Sequence, residues 1–136
     1  MIVSLVRSVT PEVENLWHHA HKDVIAKRGG VALLDTLCGE GDVSQLLLDV
    51  VSTSSLWIVS DKSRIKGLGL VRDRVVEAIY VAHDFRRQKV ATKLLKSLLQ
   101  SDTPPIDAYA LPGDRAMKSL YESMGWKARL LTMRGA

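Results

Sequence analysis

The chain carries one cysteine, and no run of apolar residues approaches the roughly 18 that a membrane-spanning helix needs. Cys38 therefore excludes an internal disulfide, and oxidising export is not required for folding. The opening "MIVSLVRSVTPE" has only a short apolar stretch, broken by Ser4 and Arg7, unlike a secretory leader. A cytoplasmic protein that does not enter a membrane is expected. Repeats, low-complexity runs and Pro/Gly-rich linkers are also missing, so residues 1–136 read as one domain. Aromatic residues are scarce, at 5%, and Trp17, Trp57 and Trp126 fall in separate segments, which reads as core packing and not a stacking platform for bases. A large excess of one charge is absent too: 19 basic against 15 acidic residues leave a net charge of +4. So mild a balance suits an anionic small molecule at least as well as nucleic acid. Only Phe85 is aromatic near the main basic cluster, so no nucleic-acid partner is expected.

What is present is an ordinary globular balance, 46% hydrophobic and 25% charged residues. A chain of this size buries roughly two thirds of its unfolded surface. "IVSLVRSV" has the β-branched content of a first strand. Thr10, Pro11 and Glu12 then supply a hydroxyl cap, a first-turn proline and a first-turn acid. Val13, Leu16, Trp17, Ala20 and Val24 recur at helical spacing until "RGG" at 28–30. A second helical region is expected between Val31 and Val51, broken at "GEGD". "LWIVS", "IKGLGLVR" and "VVEAIYVA" read as three strands. Val90, Leu94, Leu95, Leu98 and Leu99 give a helix after Phe85; "IDAYAL" reads as a strand; Asp114 caps a last helix that Gly125 ends; "WKARLLTM" closes as a strand or pair of strands. This order predicts an α/β or α+β layered fold.

The chemistry concentrates at "HDFRRQKVATKLLKSLL", where Arg86, Arg87, Lys89 and Lys93 sit close together at a strand-to-helix junction. A helix start presents unpaired N–H groups and about half a positive charge, so an anion is favoured there, and the added cations point to a phosphate or diphosphate. Elsewhere the pattern is poorer. His18 and His21 lie three apart in "WHHAHKD", but no further ligand cluster completes a metal site, so solvated histidines and no metal are expected. His19 and His21 are candidates for lining a substrate pocket. Cys38 lacks an activating motif.

"VVEAIYVAHDFRRQKVATKLL" resembles the central motif of the GNAT superfamily of acyl-CoA-dependent N-acyltransferases, a strand, an Arg/Gln-x-x-Gly-x-Gly/Ala turn and a helix. "LYESMGW" is similar to the later Leu-Tyr-Glu-x-x-Gly-Phe/Trp signature, and together the two motifs cover about residues 56–133. The resemblance implies a three-layer α/β (α+β) fold, with a mixed, mostly antiparallel twisted sheet of about six or seven strands flanked by about four helices. It also implies acetyl-CoA as co-substrate and direct transfer of an acetyl group to a primary amine. Small amines, amino acids, peptide N-termini and protein lysines all stay open as acceptors, as does a homodimer. Backbone N–H groups of Gln88, Lys89, Val90 and Ala91, with Arg86 and Arg87 beside them, would hold the pyrophosphate. Ile79, Tyr80 and Val81 would pair with the pantetheine amides as one more strand.

Lys89 stands where the family has its first turn glycine, and is expected to keep an ordinary negative φ. Tyr121 takes the place of the signature tyrosine and is the candidate general acid for the departing thiolate. In water a phenol is the weaker acid, so that transfer is uphill by roughly 2 kcal/mol, a gap that a dry site reduces. Glu77 is the candidate general base, placed by strand alternation on the face of Ile79 and Val81; a solvent-edge glutamate is the alternative. A non-catalytic coenzyme A-binding domain is the alternative function that Lys89 keeps open.

Overall fold

Thr10 opens the first helix as its chemistry requires. In the computed structural model, which describes residues 1–62 and 64–135, its hydroxyl accepts from the Val13 N–H at 3.2 Å. The helix α1 (Pro11–Ile25) then buries Val13, Leu16, Trp17 and Ala20. Gly29 turns the chain at φ 87°, and α2 (Gly30–Cys38) begins hard against the end of α1. A Cβ on Gly30 would lie 1.7 Å from the Val24 carbonyl oxygen, so only glycine permits that approach. The "GEGD" turn serves also as a cap, since Asp42 accepts from Gln45 N–H at 2.8 Å and starts α3 (Val43–Ser52).

Five strands follow the order β1-β2-β3-β4-β5: β1 (Ile2–Leu5), β2 (Leu56–Asp61), β3 (Arg64–Arg72), β4 (Val75–Val81) and β5 (Asp107–Ala108). The first four are mutually antiparallel, and β5 alone runs parallel to its neighbour. On one face, α1–α3 enclose Leu46, Leu47, Val50, Leu56, Leu68 and Leu70. On the other, α4 (Val90–Leu99) and α5 (Arg115–Ser123) enclose Val59, Val76, Leu94, Leu95 and Tyr121. The three-layer, mostly antiparallel α+β arrangement is the expected one. Among the described residues no helix is long and apolar enough to cross a membrane.

The counts differ from expectation, with five strands and five helices among the described residues. "IDAYAL" pairs only at Asp107 and Ala108, and "WKARLLTM" forms no strand. The adjacent Leu130 and Leu131 break the alternation that would give that last segment one buried face, and a two-residue β5 offers almost no ladder to join. Leu130, Leu131 and Met133 are consequently exposed, while the Arg129 side chain reaches Asp107 at 3.0 Å.

The seat of α4 is set by two glycines of β3. A Cβ on Gly67 would lie 2.8 Å from the Tyr80 carbonyl oxygen and 3.1 Å from Val90, the first residue of α4. A Cβ on Gly69 would lie 2.6 Å from Leu94. The missing side chains let α4 press its Val90–Leu94 face onto the sheet, where a buried leucine contributes roughly 1.5–3 kcal/mol. Gly67→Val should overpack this contact and cost about 1–3 kcal/mol, read as a thermal midpoint lowered by several degrees. An unchanged midpoint would show that α4 does not depend on the glycine.

Candidate active site

The site begins where two parallel strands part. β4 pairs with β5 only at Val75 and Val76, Tyr109 N–H makes one more bond to the Val76 carbonyl at 2.9 Å, and the chains then diverge. Beyond Val76, β4 is therefore a sheet edge with no strand beside it among the described residues. Ala82 N–H donates to the Lys66 carbonyl, so alternation along β4 turns the Tyr80 peptide groups toward β3 and those of Ile79 and Val81 toward the open side. An extended ligand with amides can add there as a strand would.

At the far end of this edge the chain makes a 3₁₀ turn at His83–Phe85 and enters the basic loop. The turn is anchored by a Phe85 N–H bond to the Ala82 carbonyl at 2.9 Å and by the Lys66 ammonium 5.1 Å from the Phe85 ring centre. Arg87 and Lys89 both take left-handed backbone, with φ 63° and 62°. The expected negative φ at Lys89 is thus corrected: the loop keeps the conformation that a glycine would supply, although a lysine stands there. Such αL turns before a helix gather backbone N–H groups into a concavity for anions. With no side-chain cap on α4, its first N–H groups stay available. Arg87, Gln88 and Lys89 are exposed, Ala91 is half-buried, and Val90 is packed beneath the loop. The Arg86 side chain turns back along the end of β4 instead, donating from Nε to the Val81 carbonyl at 3.1 Å and lying 5.7 Å from the Tyr80 ring centre.

Glu77 sits at an irregularity in the sheet. Leu70 opposes Ala78 but Val71 opposes Val76, which leaves Glu77 as the unpaired residue of a β-bulge. The bulge resets the alternation: Val76, Ile79 and Val81 face α4 and α5, whereas Ala78 and Tyr80 face α1–α3. Glu77 follows the second group, not Ile79 and Val81, because its carboxylate pairs with the Arg72 guanidinium, which also donates to the Leu37 carbonyl of α2 at 3.3 Å. It is buried, not a solvent-edge residue, and lines the cleft. Tyr121 enters from α5, stacked on Trp126 with ring centres 5.6 Å apart, and lines the same cleft. Its hydroxyl has no hydrogen-bond partner among the described residues, yet is not a buried orphan, so the cleft reaches it. Burial, and then the Asp114 charge, push its pKa well above the ordinary phenol value and keep it protonated.

The free sheet edge at Ile79 and Tyr80 and the tyrosine from a later helix thus line one cleft of about 800 Å³, its open mouth included, and the left-handed basic turn follows at the end of the same strand. A family model described as an acetyltransferase (GNAT) domain matches residues 43–132. The chain belongs to the GNAT acetyltransferases.

Solved GNAT-type structures share the fold at low identity. The aminoglycoside 6'-N-acetyltransferase AAC(6')-IG from Acinetobacter haemolyticus is 12% identical, with a TM-score of 0.60, over 100% of this chain and 97% of its own. A probable acetyltransferase is 15% identical, with a TM-score of 0.58, over 100% and 99%. AAC(6')-Iy, solved with the bisubstrate analogue CoA-S-monomethyl-acetylneamine, is 14% identical, with a TM-score of 0.52, over 75% and 86%. No curated protein matches the sequence.

In this GNAT domain the cleft also holds residues that the sequence did not single out. Lys27, just past α1, places its ammonium 2.9 Å from Asp23 and 3.2 Å from Asp114. Asp114 acts as the expected cap, accepting from Met117 N–H at 3.2 Å, and gives its other oxygen to Lys27. Burial alone would lower the Lys27 pKa, but the two carboxylates outweigh it and raise the value above that of an ordinary lysine. The stability this cluster adds is fully present below the ordinary lysine range and is lost as pH rises through the folded value. The i,i+4 spacing of Asp23 and Lys27 was legible; the arrival of Asp114 from a distant helix was not. Of the histidines, His21 lines the cleft, His19 is exposed, and His18 lies 3.7 Å from Glu14. Among the described residues no three His, Cys, Asp or Glu side chains gather as a metal site.

Left-handed backbone costs a non-glycine residue roughly 1–2 kcal/mol, partly offset in a glycine variant by its greater freedom when unfolded. Lys89→Gly should therefore raise stability by about 0.5–1 kcal/mol, measured by denaturant unfolding. A loss of stability would mean that the Lys89 side chain, not its backbone, holds the loop.

Proposed function

We propose that this GNAT domain is an N-acetyltransferase that moves an acetyl group from acetyl-CoA to a primary amine. The observation that carries the reading is the junction of the open Ile79–Val81 edge with the left-handed Arg87–Lys89 turn. Amide groups and phosphate-binding N–H groups meet there in one continuous track, which fits a pantetheine arm ending in a diphosphate. The roles of Gln88 to Ala91 at the pyrophosphate, with Arg87 beside them, follow from that fit. Arg86, bonded to the Val81 carbonyl and to Asp23, takes that one acceptor and leaves the Ile79 peptide groups and the Val81 N–H as the open part of the edge.

When bound, acetyl-CoA supplies a thioester carbonyl open to direct attack by an amine. The chain's own groups do the rest. An outward N–H of β4 polarises the carbonyl oxygen. Glu77, oriented by Arg72, takes the amine's proton through water with the carboxylate oxygen that the guanidinium leaves free. Tyr121, kept neutral by burial, holds the proton that the departing sulfur needs. The same burial raises the basicity of a thiolate, which offsets the rise in the phenol's own pKa. A reducing, cytoplasmic setting suits the free Cys38. The second reading is a non-catalytic coenzyme A-binding domain, favoured by the engagement of Glu77 with Arg72.

Acetyl-CoA at 100 times its dissociation constant should add about 2.7 kcal/mol of stability and raise the thermal midpoint, while an adenine nucleotide without the pantetheine arm should raise it less. Tyr121→Phe should lower amine-dependent thiol release by about 100-fold with acetyl-CoA affinity nearly unchanged. A thermal rise without turnover toward any amine supports the non-catalytic domain. Full activity in Tyr121→Phe removes the phenol from the acid role.

A further inference from the structure

The acceptor side of the cleft is acidic in composition and compensated in charge. Asp23, Glu77 and Asp114 all line it. Each is already matched by a cation of the chain itself: Glu77 by Arg72, Asp23 by Lys27 and by Arg86 at 3.4 Å, Asp114 by Lys27. The remaining wall is mostly apolar, including Trp17, Val24, Leu33, Leu34, Leu111 and Met117. Lys27 is the decisive member. Its ammonium occupies the space between carboxylates from two different elements, the arrangement that a second ammonium on a substrate would seek.

Resting on the reading of this cleft as the acceptor site, we propose that Lys27 sets specificity: its ammonium fills the Asp23–Asp114 cradle, so the enzyme takes monoamines with an apolar body and turns away polycations. A monoamine can put its apolar part against Trp17 and the leucines while its single nitrogen reaches the thioester. A polyamine would have to displace Lys27 or set its additional charges beside Lys27 and against apolar side chains, both of which cost affinity. The chain would thereby differ in acceptor class from the aminoglycoside acetyltransferases that share its fold.

The test is calorimetric titration of the wild-type chain, with coenzyme A present, using 2-phenylethylamine and spermidine. The monoamine should bind at least tenfold more tightly. Lys27→Met, which keeps the length of the side chain and removes its charge, should improve spermidine affinity at least tenfold, and adding Asp114→Asn should abolish that gain. Should Lys27→Met not fold, Lys27→Gln retains a hydrogen bond to the cradle and should show the same direction of change. Spermidine binding as tight as that of the monoamine, no binding of either amine, or no gain in a folded Lys27 variant would each overturn the proposal. Thiol release separates this from the broader reading: with the binding preference intact, absence of acetyl transfer to both amines overturns the acetyltransferase function alone. Transfer to spermidine as fast as to the monoamine overturns the role of Lys27 alone.

Discussion

The pairing of β4 with β5 stops after two residues, and the site depends on that early stop. Were the ladder to continue, the Ile79 and Val81 peptide groups would be consumed by β5 and the cleft would close. Two features enforce the opening. Glu77 bulges out of β4, disrupting the register at the point where the strands part. Past Tyr109, the other chain runs into Pro112, which has no N–H to offer a ladder, and folds into the turn that caps α5. The bulge also turns the Glu77 carboxylate to the α1–α3 side, where Arg72 and the Leu37 carbonyl anchor the pair.

The basic loop before α4 is held in line with this opening by packing on both sides of it. Gly67 and Gly69 let α4 sit close on β3, so the helix start is fixed relative to the end of β4. Phe85, under the cations of β3, pins the turn between them. Left-handed backbone at two non-glycine residues is a local cost that the surrounding contacts sustain, and such costs cluster where geometry serves binding. Across the cleft, Lys27 ties α1 to the cap of α5 and joins the two faces of the sheet.

Helix starts and stripes were legible in the sequence because they are local. Thr10 and Asp114 each cap a helix through their own side chains, and the apolar spacing of α1 and α4 shows directly which face is buried; the "GEGD" stretch was legible as a turn, though not Asp42 as a cap. The basic turn and the tyrosine signature were legible as motifs. The bulge was not, since "VVEAIYV" carries no glycine or proline to mark it, and a one-residue insertion there reverses which face Glu77 occupies. The final strand was misread because "WKARLLTM" has strand-like residues without strand alternation. The Lys27 cluster depends on a contact between residues 87 positions apart and lies beyond any local pattern.

In the proposed function the open β4 edge and the αL turn form one track for the pantetheine-diphosphate arm. Amide hydrogen exchange with and without saturating acetyl-CoA measures it residue by residue. The account predicts slowed exchange at Ile79 and Val81 and at Gln88 to Ala91 together, with β1 and β2 unchanged. Protection at the helix start without protection on β4 would contradict it, as would protection confined to other surfaces.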